Sequence, residues 1–189
     1  MSRTFPTLGG WLGFAGVAGF AAIVLVLHGI QTNYDPRRQL ISELALGPHG
    51  WAMFPAFVSL AAALFGVGMG LTAVGASPSC RFLLYAAAVA MLFGGVFPMG
   101  RATVPHVVAV VAGLVPIVLV AYLLPARAGR LRSLRLLSWL LGGGAVLCLA
   151  LANFGIPLGV AQRLAVTCIL GWLCVLSWRL AFSPEGRPC

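Results

Sequence analysis

Two of the three acidic residues in this 189-residue chain, Asp35 and Glu43, fall in one polar segment, Gln31–Gly50 (QTNYDPRRQLISELALGPHG). Arg37, Arg38, Ser42 and His49 share it, in a chain that is only 8% charged. A carboxylate or imidazole held near a substrate can act as general acid or base. Glu43 is the first candidate for that role, with His106 and His49 as partners and a lipid or isoprenoid as substrate. Guanidinium groups grip phosphate through paired hydrogen bonds. Arg37, Arg38, Arg101 and Arg163, with Asp35 and Ser42, are therefore candidates for binding an anionic lipid headgroup, and a lipid-binding, structural or accessory role is the first expectation, with the enzyme as the alternative.

Everything else in the chain reads as the frame for that segment. The composition is 61% hydrophobic, outside the range of soluble globular domains. Six apolar runs recur, Gly9–Ile30, Trp51–Val74, Phe82–Pro98, Val104–Leu124, Leu134–Phe154 and Arg163–Phe182. Each is about 20 residues long, the length needed to cross the hydrocarbon core as a helix. The expectation is an all-α, polytopic membrane protein: a single six-helix bundle over residues 1–189, with a short amphipathic helix after the first span. The first run is too long for a signal peptide and lacks a small-x-small cleavage site, so it is expected to be retained. Short connections make successive helices antiparallel neighbours. Gly9 and Gly13 form a GxxxG that suits close helix packing.

Lysine is absent, so arginine alone sets the orientation. Arg3, Arg81, Arg127, Arg130, Arg132, Arg135, Arg179 and Arg187 fall on the side of the termini. Arg37, Arg38, Arg101 and Arg163 fall on the other. The bias places both termini in the cytoplasm and the polar segment outside the plasma (inner) membrane. The net charge of +9 is then explained by anionic lipid rather than nucleic acid. Cys148, Cys168 and Cys174 lie in spans, and Cys80 and Cys189 fall on the cytoplasmic side, so no disulfide framework is expected.

Within the polar segment, Asp35-Pro36 reads as a helix N-cap followed by proline at the first position, and Gly47-Pro48 reads as a stop. Pro36–Leu46 would then form about three turns, with Leu40, Ile41 and Leu44 on one face and Arg38 and Ser42 on another. In such a helix Arg37 and Arg38 oppose the dipole at one end and Glu43 at the other. That points to tertiary partners for Glu43, with Arg101 and Arg163 on the same side. His28, His49 and His106 share this end of the bundle. Their spacing lacks the regularity of an HExxH zinc site, so no metal and no cofactor are assigned. The spans hold too few polar groups for a proton- or ion-coupled transporter. Arg101 and His106 have the wrong spacing for a lipid phosphatase. No GxSxG and no lysine-bearing phosphate loop occurs.

The run Tyr34-Asp35-Pro36-Arg37-Arg38-Gln39, then Ile41-Ser42-Glu43-Leu44, Gly47-Pro48 and Gly50-Trp51, resembles the prokaryotic membrane family catalogued as domain of unknown function 998. Phe97-Pro98 near the end of the third span and His106 opening the fourth are similar to the same plan. The resemblance implies a six-helix membrane fold and no particular activity. Members often carry an acidic residue just after the Phe-Pro, where this chain has Met99-Gly100-Arg101. A mechanism needing a second carboxylate there has no residue for it.

Overall fold

A computed structural model describes residues 5–127 and 129–182, including their side chains except those of residues 5–7, 73, 125–127, 129 and 130. Arg3, Arg187 and Cys189 lie outside it, as do the side chains of Arg127 and Arg130. Among the described residues six helices are long and apolar enough to cross a membrane. They are α1 (Phe5–Ile30), α2 (Met53–Ala73), α3 (Pro78–Val96), α4 (Thr103–Arg127), α5 (Arg135–Leu151) and α6 (Leu158–Phe182). With no water to serve backbone groups in lipid, each must close its own hydrogen bonds, and helices do so. The chain is an integral, multi-pass membrane protein.

Each helix packs on the next in sequence, and α6 returns to α1, so the six close into a ring. Among the described residues, only α2 and α6 also make substantial contact across it. The α1–α2 seam is glycine-built. A Cβ on Gly66 would lie 2.7 Å from the Gly13 nitrogen and 2.8 Å from the Gly9 oxygen. The GxxxG is thus a groove for the α2 backbone. Contact is thinner between α4 and α5, and a cavity on that side of the ring is lined chiefly by α4 and α6.

Two departures from the hydropathy reading bear on the polar end. First, α6 begins at Leu158, because Gly155 takes a left-handed φ of 92° and closes the turn early. Arg163 therefore sits inside the helix and not at its start. Second, the polar segment is not one amphipathic helix. Asp35–Gln39 forms a single turn, Leu40 is extended (φ −70°, ψ 152°), and a 3₁₀ helix follows at Ile41–Leu46. At the break the Leu40 and Ile41 N–H groups donate to Glu43 Oε1 at 3.1 Å and Gln162 Oε1 at 2.7 Å instead of back into the first turn, and Arg163 holds the Gln39 carbonyl at 2.9 Å. Glu43 consequently falls in the first turn of the short helix, where a carboxylate is favourable to the dipole. Ile41 and Leu44 are buried beneath it, as their apolar spacing implies.

Candidate functional site

The polar end of the bundle is organised by one side chain. Arg163 donates through Nη1 to Gln39 O (2.9 Å) and to Gly159 O of its own helix (2.8 Å). Through Nη2 it meets His28 Nε2 at 3.0 Å and the Tyr34 hydroxyl. His28 Nδ1 lies 2.7 Å from Val24 O, an acceptor, so that nitrogen carries the proton and Nε2 accepts from the guanidinium. The Tyr34 ring stands edge-on to His28 and beneath the guanidinium, 5.4 Å from centroid to Cζ. Burial raises the Tyr34 phenol above its ordinary range, while Arg163 pulls it the other way. Arg163 is thereby a clamp joining α1, the polar segment and α6, committed to protein acceptors.

The segment lies directly across the start of α6. Val160 N–H donates to Arg37 O at 3.2 Å, satisfying an otherwise open helix N-terminal donor. Gly159 makes the approach possible, since a Cβ there would lie 2.6 Å from Gln39 O. Ile41 N–H donates to Gln162 Oε1 at 2.7 Å. From the other side, buried Gln31 donates through Nε2 to Leu44 O (2.9 Å) and Pro48 O (2.8 Å).

Glu43 has a local role here. Its Oε1 accepts from Leu40 N–H at 3.1 Å and its Oε2 from Gln39 Nε2 at 3.4 Å. This is the acidic half of a capping box. Glutamine can make the same backbone contact, so Glu43→Gln should change thermal stability by less than about 0.5 kcal/mol, whereas Glu43→Ala should lose about 1 kcal/mol. Equal melting shifts for the two variants would show that the cap is not what Glu43 supplies. Asp35 also acts locally, accepting Arg37 N–H at 2.9 Å and lying 3.9 Å from exposed Arg38. An exposed pair of that kind contributes little.

The structure divides the candidate residues among separate places. Glu43 lines a polar cleft of about 340 Å³ with Gln31, Asn33, Tyr34 and Gln39. His49 is exposed, with a left-handed φ of 60° that aims the chain into α2. Arg37, Arg38 and Arg101 are exposed, the last beside Trp51 and Met99. His106 and Ser42 lie elsewhere, and together. His106 is 3% exposed and Ser42 6%, and both line an inner cavity of about 240 Å³ that is partly open to the outside, with exposed Val111 in its lining. The same two side chains, with Met53 and Phe57, also line a groove of about 680 Å³ between the start of α2 and the end of α3. Among the described residues no three His, Cys, Asp or Glu side chains gather as a metal-binding group.

His106 is held firmly. Its Nδ1 lies 2.8 Å from Gly94 O and 2.9 Å from Phe97 O, and its ring packs edge-on to Phe57. The last turn of α3 thus fixes the ring and leaves Nε2 for the cavity. Gln162, which the sequence reading passed over, lines the inner cavity from α6. Its signal was a lone amide beside Arg163 in an otherwise apolar run. Gln31 and Tyr34 were also passed over as individuals, although both lie in the segment singled out.

The family model described as "Protein of unknown function (DUF998)" matches residues 14–179. The chain belongs to this family. The match reaches into all six helices of the DUF998 member and includes the clamp and His106. No curated protein and no solved structure matches the chain.

Proposed function

We propose that this DUF998 protein binds a membrane lipid, housing its apolar chain inside the ring and its polar end beside Ser42, His106 and Gln162. The observation that carries this reading is the inner cavity itself. Its walls are apolar side chains from α1 to α6, among them Phe20, Leu60, Leu114 and Ile169, and its polar groups converge at one end. Ligand sites are commonly apolar hollows with a few placed polar groups. The inner cavity is small for such a site, but the adjoining groove shares its polar end and extends it.

In this reading the protein sits in the plasma (inner) membrane with both termini in the cytoplasm, the sense favoured by the arginine bias. The polar segment then closes the outer mouth of the bundle. Exposed Arg37, Arg38 and Arg101 would meet anionic headgroups of the surrounding leaflet.

Filling the cavity tests the proposal. Ala165 lines it from α6 and Val110 from α4. Ala165→Phe and Val110→Phe, purified in mild detergent, should lose a lipid that native mass spectrometry detects on the wild type. A lipid retained at wild-type occupancy in both folded variants would rule the cavity out as its site.

A further inference from the structure

Granting that cavity ligand, we infer that its polar end is a neutral hydroxyl on a long apolar chain: a prenol or a long-chain alcohol. The hydrogen-bonding capacity left open at the site selects for it. His106 Nδ1 faces two carbonyl oxygens, which only accept, so its proton sits on Nδ1. In the neutral ring Nε2 then offers a lone pair. Gln162 Oε1 is taken by Ile41 N–H, so its amide nitrogen remains as a donor. The Ser42 hydroxyl can do either. The ligand atom that complements this set must donate to His106 and accept from Gln162 or Ser42. A hydroxyl oxygen does both.

Other polar ends fit worse. A carboxylate or phosphate ester supplies acceptors and negative charge, and the nearest cation, Arg101, lines an adjoining hollow with Trp51 and Met99 that includes neither Ser42 nor His106. Arg163, the nearest by sequence to Gln162, holds Gln39, Gly159, His28 and Tyr34 instead. Bringing an unpaired charge into such a site is far costlier than bringing a hydroxyl. A ketone or ester would leave His106 Nε2 without a donor. Access also suits a molecule already dissolved in the bilayer. The groove runs past exposed Trp51, in the turn before α2, past exposed Phe54 on α2 and past Gly94 and Gly95 on α3, and its lining includes Ser42 and His106.

Photoaffinity labelling in nanodiscs separates this inference from the cavity reading. Three diazirine probes of equal chain length are needed: a prenol, its phosphate monoester and the parent hydrocarbon. The prenol should crosslink to cavity-lining residues, and unlabelled prenol should displace it. His106→Leu and Ser42→Ala should each reduce prenol labelling about five- to tenfold, the loss of one hydrogen bond, and leave hydrocarbon labelling unchanged. Two independent variants guard against one that fails to fold. Labelling by the phosphate ester equal to or above that of the prenol would overturn the hydroxyl and leave the cavity standing. So would prenol labelling indifferent to both variants. Absence of cavity labelling by all three probes would overturn the cavity itself.

Discussion

Arg163→Gln is expected to lower stability by at least about 3 kcal/mol, since hydrogen bonds to charged groups contribute about 1.5–3 kcal/mol each and several are lost together. Four of the five guanidinium N–H groups have acceptors, on α1, on the polar segment and on α6. The Nε–H has no partner among the described residues. Glutamine is too short to reach them all. Gln39 O, the Tyr34 hydroxyl and His28 Nε2 would then sit part-buried without their donor. Lysine would restore the charge but cannot reproduce the planar fork, so Arg163→Lys should recover only part of the loss. Thermal unfolding in detergent gives the magnitude. Limited proteolysis gives the location, because release of the clamp should expose the Gln31–Gly50 segment before the helices. An Arg163→Gln protein with wild-type melting and an uncut segment would mean that the clamp does not hold the polar end.

The second large effect belongs to the α1–α2 seam. Gly16→Val should abolish recovery of folded protein. A Cβ at Gly16 would collide with the Ser59 carbonyl oxygen and lie 2.6 Å from the Ala63 nitrogen, both backbone atoms of α2. Flexible side chains can yield to an added methyl, but a helix backbone cannot move without separating the two helices. Overpacking usually costs about 1–3 kcal/mol where side chains can adjust, and this site offers no such adjustment. Gly171 is the matched control, a helical glycine on α6 whose Cβ would meet nothing within 4 Å. Gly171→Ala should be neutral or slightly stabilising, because alanine is favoured over glycine in a helix by about 1 kcal/mol. Size-exclusion profiles of the two variants decide the matter. A monodisperse Gly16→Val peak at wild-type yield would contradict the close seam.

Much of the frame was legible because it answers to a property of the solvent. A bilayer demands apolar helices of one length, and each span obeys that demand through its own composition. The concentration of charge between Gln31 and Gly50 was equally visible. The internal shape of that segment was not. Pro36–Leu46 has the caps and apolar spacing of a three-turn helix, yet Gln162 and Arg163 take the Ile41 N–H and the Gln39 carbonyl and break it. Local propensity lost to tertiary hydrogen bonds, which the spacing of residues along the chain does not encode. The dipole conflict read from a continuous helix disappears with it, and Glu43 becomes a cap.

The site was legible as types rather than as groupings. Sequence alone marked His106, Ser42, Glu43 and Arg163, and by its motif it marked the family that the match over residues 14–179 establishes. Only the tertiary structure sorted them: Arg163 with His28 and Tyr34, Glu43 with Leu40 and Gln39, His106 with Ser42 at a cavity. The physical reason is range. Hydrophobic length and capping act between neighbours in the chain. The contacts that define the polar end join residues more than a hundred positions apart, and they exist only once α6 has closed the ring onto α1.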